Sequence, residues 1–404
     1  MPADRGDAVD LQHNCVVLPA TEVLRVDHAA PSHDAVARAA AVLGAGGLVA
    51  FPTETVYGLG ALADDAAAVR SVFAAKGRPA TDPLIVHGTS LEALTSAVAH
   101  WTDPARVLAE RFWPGPLTLV LARTDAVVDE VCAGGPSVAV RVPAHPVALA
   151  LLDAVGTPVA APSANRFGRI SPTTAAHVLD ELDGRIDLVL DGGATTLGIE
   201  STVVDLTGAV PELLRPGGVT LEDLRDALGE VRHRERVAAP ESEAATSPGQ
   251  FLRHYAPTTP LVLVDGGPEL RGELIAALGE RGREAAPVDL PLDPAHAARE
   301  LYARLRAADA ADVAVLVVSM AIPEGLGRAV NDRLYRAAHG RVVLDATRAT
   351  IDRPSRVSSL NEVSSAASAN SLSVVPGRGA NSSAMRPPFV IVPVLSSSTV
   401  LIAL

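Results

Sequence analysis

The sequence predicts an α/β protein: a twisted open sheet with helices in its N-terminal part, plus a smaller C-terminal three-layer α/β domain. Hydrophobic residues make up 48% of the 404 positions while aromatics make up only 3%. The cores must then be built from Ala, Val and Leu, which suits helices laid on a mostly parallel sheet. Short apolar runs ending in Gly, Pro or hydroxyl-rich turns alternate with longer Ala-rich stretches, the pattern of strands alternating with helices. Composition also shifts twice along the chain, near residue 232 and near residue 346. These shifts divide it into a frayed N-terminus (1–30), a first domain (31–231), a linker ending in a flap (232–259), a second α/β domain (260–345) and a low-complexity tail (346–404).

The net charge of -13 argues against a protein that coats nucleic acid, since that binding rests on cation–phosphate contacts. Two cysteines, Cys15 and Cys132, are too few for a disulfide framework and lie in no metal-ligand spacing, so no protein-held metal is expected. The N-terminus, with Asp4, Asp7 and Asp10, lacks the order of a signal peptide. No uninterrupted apolar run reaches the roughly 20 residues of a membrane span. A cytoplasmic location is expected.

Asp34–Leu43 has helical composition and ends at Gly44, Gly46 and Gly47. Leu48–Phe51 reads as a buried strand running into the polar turn Pro52-Thr53-Glu54-Thr55, the position where open α/β sheets bind ligands. The segment Gly58-Leu59-Gly60-Ala61-Leu62-Ala63 matches a loose dinucleotide fingerprint, but the glycines come seven residues after the strand instead of directly after it. Asp65–Ala75 is a helix that delivers Lys76 and Arg78. Lys76 is the only lysine in the chain, a compact point charge where arginine would present a planar fork. Two readings of Lys76-Gly77-Arg78-Pro79 stand together: a helix C-cap with its stop signal, and a pair of cations for a polyphosphate.

Leu84–Val86 is the next strand and ends at His87. Helices are expected at Leu91–His100 and Pro104–Phe112, then strands at Leu117–Leu121 and Ser137–Pro143. Arg141 sits near the end of the latter on an apolar strand, so it requires a carboxylate partner from protein or substrate. Val159–Ala161 leads into the turn Pro162-Ser163-Ala164-Asn165. Ser171 with Pro172 reads as the start of a helix running to Leu182, whose N-terminus would also suit phosphate. Strands follow at Leu188–Asp191 and Ile199–Asp205, and Glu212–Gly217 closes the domain before a helix at Leu221–Leu228. In the linker, Ser247–Pro257 carries Phe251, Arg253, His254 and Tyr255, large groups for which a spacer has no use and a flap does. The second domain runs from the strand Leu261–Asp265 through helices near Glu269–Leu278 and Ala295–Ala308, a strand at Asp312–Val318 and a helix at Gly327–Ala338. It shows no cluster of converging polar groups.

Read together, PTETVYGLG (52–60), KGRP (76–79), PLIVH (83–87), FWPGPLTLVL (112–121), VRVP (140–143), PSAN (162–165), GIESTVVD (198–205), LRPG (214–217) and SPG-x-x-x-RHYAP (247–257) resemble the threonylcarbamoyl-AMP synthase family. This is the YrdC-like domain in its long form, and the likeness spans roughly residues 34 to 340. The resemblance implies condensation of L-threonine, bicarbonate and ATP into threonylcarbamoyl-AMP and pyrophosphate, with the product passed to the tRNA threonylcarbamoyl-transfer machinery. It implies a threonine side of Thr55, His87, Arg141, Ala161 and Ser201. It implies an ATP side of Lys76, Arg78, Asp82, Ser137, Ser163, Asn165, Ser171, Arg215 and Tyr255, with Lys76, Arg78, Ser163 and Asn165 nearest the chemistry and Mg2+ carried on the phosphates. Asp82 departs from the family pattern, which tends to have Asn there. An RNA-gripping module of the same fold would need a basic, aromatic face, and stable nucleic-acid binding is not expected. A carbamoyl-transferring maturation factor would need upstream acylphosphatase-like and zinc-ligand segments, which the sequence lacks.

Overall fold

A computed structural model of the chain describes residues 20–233, 254–344 and 392–393. The linker from 234 to 253 and nearly all of the tail lie outside the described residues.

The first unit contains β1 (Glu22–Arg25), α1 (His33–Gly44), β2 (Val49–Phe51), β3 (Gly58–Leu62), α2 (Ala66–Lys76), β4 (Ile85–His87), α3 (Asp103–Phe112), β5 (Leu117–Ala122) and β6 (Ser137–Arg141). It continues with α4 (Pro146–Val155), β7 (Val159–Ala160), α5 (Ala175–Leu182), β8 (Leu188–Asp191), β9 (Thr202–Asp205), β10 (Glu212–Arg215), α6 (Leu221–Leu228) and β11 (Arg232–His233). Their strands form one mixed sheet in the order β1-β8-β2-β3-β7-β4-β6-β5-β9-β10-β11. The second unit is β12 (Leu261–Asp265), α7 (Pro268–Gly279), β13 (Ala285–Val288), α8 (Pro294–Asp309), β14 (Val315–Ser319), α9 (Leu326–Ala337) and β15 (Val342–Leu344), with Val392–Pro393 as β16 on its edge. Its sheet is parallel throughout, in the order β13-β14-β12-β15-β16.

The strands that matter for a site bring their ends to one edge. β4 and β6 run parallel with His87 opposite Arg141. β5 is antiparallel to β6 and parallel to β9, so the starts of β5 and β9 lie beside the end of β6. β10 turns back antiparallel to β9 and returns Arg215 to the same edge. β7 runs the other way, antiparallel to β4, so its end with Ala161 lies beside Ile85 at the start of β4 and next to β3, and Ile85 itself lines the cleft. Helices cover both faces, and the central strands are apolar on both sides: Val49, Phe51, Leu188 and Leu190 are fully buried on one face and Ala50, Leu119 and Val204 on the other. Such burial supplies roughly 1.5–3 kcal/mol per large aliphatic side chain.

Several expectations change. The first 30 residues are not all frayed, because Glu22–Arg25 pair with Leu188–Asp191 as an edge strand. The expected helix at Leu91–His100 shrinks to a single 3-10 turn at Glu92–Leu94. There the Ala99 amide bonds the Ala122 carbonyl, and Ala97 accepts from Thr124, so the end of β5 takes up the backbone groups a helix would need. The helix expected from Ser171 starts at Ala175, capped by Thr174. Pro172 instead accepts from the Tyr57 amide, and the Ser171 hydroxyl is turned to Glu200. β13 and β15 were not predicted. Nor are the two cores separate: Val56, Ile170 and Ile199 of the first unit pack in one cluster with Leu261, Leu301 and Leu334 of the second. No helix among the described residues is long and apolar enough to cross a membrane.

Candidate active site

The strand ends enclose a cleft lined by Thr55, Arg78, His87, Arg141, Ala161, Ser163, Ser201 and Arg215, and by Glu200, His254 and Tyr255. Its free volume is about 50 Å³, far below the roughly 300–1,000 Å³ of sites that hold small molecules. His254 and Tyr255, the described end of the predicted flap, are buried in it.

One end of the cleft is organised by Arg141. Its guanidinium donates through Nη1 to Thr55 Oγ1 (3.1 Å) and through Nε to the Gly115 carbonyl (3.2 Å), and Nη2 lies 2.8 Å from Glu54 Oε2. The carboxylate that Arg141 required is therefore present in the protein itself. Thr55 is fixed in turn by Thr53 Oγ1 at 2.7 Å. His87, buried with Nδ1 3.1 Å from the Ile85 carbonyl, is held down to a pKa of about 3, first by burial and then by the Arg141 charge. It is a neutral imidazole at any working pH.

The other end is built on the C-terminus of α2. Asp65 caps the helix start, and Gly77 ends it in the left-handed region at φ 62°, which glycine adopts without penalty. On either side of that turn, Lys76 reaches the PSAN loop and Arg78 folds back onto Asp82 and Pro83. Lys76 Nζ donates to the Ser163 carbonyl and, at 2.5 Å, to the Asn165 carbonyl. Burial, and then the nearby Arg78, push its pKa well below that of an ordinary lysine. Arg78 donates to the carbonyls of Asp82 (3.0 Å) and Pro83 (2.6 Å) and lies 3.0 Å from Asp82 Oδ1. Arg215 donates to the Ser201 carbonyl and to its Oγ at 3.1 Å, and Ser201 Oγ also meets Thr118 Oγ1 at 2.8 Å. His254 is kept neutral by burial and by Arg78, Arg336, Lys76 and Arg215 around it.

The cleft thus gathers Thr55, Arg78, His87, Arg141, Ala161, Ser163, Ser201, Arg215 and Tyr255. Lys76 lies directly behind Ser163, and Asp82 is buried behind Arg78. Asn165 faces away and donates to the Arg166 and Arg169 carbonyls, bracing its loop. Ser171 donates to Glu200 Oε1 at 2.5 Å. Ser137 is not brought to the cleft: it sits four residues before Arg141, roughly 13 Å along β6. Among the described residues no group of three or more His, Cys, Asp or Glu side chains could hold a metal. The carboxylates nearest the cleft, Glu54, Asp82 and Glu200, each face a guanidinium.

Two family models match the chain. The Sua5/YciO/YrdC model, described as "Telomere recombination", covers residues 41–217, and "Threonylcarbamoyl-AMP synthase, C-terminal domain" covers residues 219–339. The chain belongs to the threonylcarbamoyl-AMP synthase family. A threonylcarbamoyl-AMP synthase of Pyrococcus abyssi is 43% identical over 320 residues, covering 76% of this chain and 94% of that protein. One from Bacillus subtilis is 41% identical over 326 residues with the same coverage. The crystal structure of P. abyssi Sua5 complexed with L-threonine superposes with a TM-score of 0.77 at 41% identity, covering 80% of this chain and 99% of that one.

Within this family fold, sequence reasoning missed four contributors. Glu54 was visible as the carboxylate of the hydroxyl turn, and Glu200 as an acid entering a buried strand, a position that requires a cation. Tyr302 and Arg333, both at 0% exposure, carried no signal. They belong to the unit that shows no polar cluster in sequence, and they correct that reading.

Proposed function

We propose that the chain condenses L-threonine, bicarbonate and ATP into threonylcarbamoyl-AMP and pyrophosphate, for threonylcarbamoyladenosine formation in tRNA. The observation that carries this reading is the division of one cleft. Arg141 and Thr55 stand at one end, and Arg78 and Arg215, backed by Lys76, stand at the other. The likeness to a protein crystallised with L-threonine supports the first end.

In this reading the threonine amine takes up the carbon of bicarbonate as a carbamate, with loss of water. A carbamate oxygen then attacks the α-phosphorus of ATP, the bond to the bridging oxygen breaks, and pyrophosphate leaves with the electron pair. Arg141 Nη1 and the Thr55 hydroxyl orient the threonine carboxylate, in place of or beside Glu54. The neutral His87 offers a hydrogen bond and no proton. With ATP bound, Lys76 exchanges peptide carbonyls for phosphate oxygens, and the arriving anion favours its charged form. Arg78 and Arg215 offset the charge that develops on pyrophosphate, so the protein acts by orientation and electrostatics. The arginine-engaged carboxylates offer no metal cage, so Mg2+ would enter on the nucleotide phosphates and add charge neutralisation there. The amount of pyrophosphate released tests the reading: release should require threonine, bicarbonate and ATP together. Release unaffected by omitting threonine or bicarbonate, or no release at all, overturns it.

A further inference from the structure

The second unit meets the cleft through a buried ionic hub. Glu200 accepts hydrogen bonds from three side chains: Ser171 Oγ (2.5 Å), the Tyr302 hydroxyl, whose one proton is shared between Oε1 and Oε2 (2.9 and 2.8 Å), and Arg333 Nε (2.8 Å). Tyr302 lies on α8 and Arg333 on α9. Arg333 continues to the Pro216 carbonyl (2.7 Å), the residue after Arg215, and its guanidinium carbon sits 5.2 Å from the Tyr255 ring centroid. Tyr302 stacks on the same ring at 5.9 Å and 28°. The two units also touch at backbone distance two residues before Glu200: a Cβ at Gly198 would come within 2.4 Å of the Arg299 carbonyl oxygen.

Three elements that line the cleft are therefore held by two side chains from outside the first unit. These are the Glu200-Ser201 step, the Arg215-Pro216 turn and the ring of Tyr255. Stability alone does not account for this choice, because a buried ion pair roughly breaks even against apolar residues of the same volume. Such a network does fix geometry, since each donor and acceptor has one satisfactory arrangement. We propose that Tyr302 and Arg333 are positioning residues of the cleft, so that the second unit sets the orientation of Ser201, the Arg215 turn and Tyr255. The inference rests on the proposed function for what those residues meet.

The test uses the full chain with Tyr302→Phe, Arg333→Met and Arg333→Lys. Arg328→Ala serves as a control, because it breaks a different ion pair between α9 and the first unit, the 3.0 Å pair with Glu222. Readouts are kcat and KM for pyrophosphate release, Tm, and hydrogen exchange at the Ala256 amide, which donates to the Gly168 carbonyl. Tyr302→Phe removes only a hydroxyl and should lower kcat about tenfold with little change in Tm or threonine KM. Arg333→Met should lower kcat about 100-fold and speed exchange at Ala256, with partial rescue in Arg333→Lys. Arg328→Ala should change neither. Wild-type kcat and exchange in both Tyr302→Phe and Arg333→Met overturn the proposal, as do losses that track Tm and recur in Arg328→Ala. Where Arg333→Met does not fold, Tyr302→Phe decides. If the wild type releases no pyrophosphate, the proposed function falls, and exchange at Ala256 in the same variants still decides the positioning role.

Discussion

The two ends of the cleft hold their cations in opposite ways. Arg141, 4% exposed, faces the carboxylate of Glu54, while Lys76, 2% exposed, faces two peptide carbonyls. A guanidinium already paired with a carboxylate is poised to exchange it for another carboxylate at little change in local charge. An ammonium held by carbonyl dipoles keeps its formal charge in a place that penalises it, as its depressed pKa records. The first arrangement suits recognition of an amino acid; the second suits capture of a polyanion. Both ends also keep a buried histidine uncharged, His87 and His254, first through burial and then through the neighbouring cations.

Replacing Lys76 tests the difference hardest. Lys76→Met keeps the stem and removes the ammonium from a buried site, so Tm should hold or rise while pyrophosphate release falls by about 100-fold or more. Lys76→Arg should not restore it, because a planar fork does not fit between the Ser163 and Asn165 carbonyls. Release within a fewfold of wild type in Lys76→Met would remove the ammonium from the chemistry and leave it a loop brace.

At the other end, Glu54→Gln leaves Arg141 buried without its carboxylate, a change that costs about 3–5 kcal/mol when no group compensates. The unliganded variant should melt lower by roughly 5–10 °C. Threonine would then supply the missing carboxylate and should raise Tm more in the variant than in the wild type. Equal threonine-induced shifts in the two proteins would show that Glu54 and substrate do not compete for Arg141.

His87 gives a pH signature of smaller size. Its folded pKa of about 3 lies below the 6.5 of an unperturbed histidine. Between those values the unfolded chain binds a proton that the folded chain does not, so this contribution to stability is fully present above pH 6.5 and shrinks as pH falls toward 3. Urea unfolding at pH 7 and pH 5 should show the wild type losing about 1–2 kcal/mol more than His87→Gln. Identical losses would mean that the imidazole titrates in place.

What the sequence made legible follows the range of the interactions concerned. The C-cap of α2 was readable because Gly77 acts within a few residues of the helix it ends. The gathering of His87, Arg141 and Arg215 was readable from polar residues at the ends of apolar strands. Ser171 was misplaced because its hydroxyl is claimed by Glu200, 29 positions away, so a local cap rule had nothing to act on. Tyr302 and Arg333 were invisible for a related reason. An arginine on an amphipathic helix reads as a solvated charge until a carboxylate more than 100 residues away is brought against it.

The smallest expected effect lies within the phosphate end, where Arg78 breaks the local pattern by having a carboxylate neighbour. Asp82 Oδ1 lies 3.0 Å from the guanidinium, while its backbone carbonyl separately accepts from Arg78 Nε. Asp82→Asn therefore removes a negative charge and leaves the backbone anchor of Arg78 in place. With the end more positive, KM for ATP should fall about threefold and threonine KM should not move. A tenfold rise instead would mean that the Asp82 carboxylate is needed with nucleotide bound. The contrast between a carboxylate-paired end and a carbonyl-held end would then narrow to Arg141 and Lys76 alone.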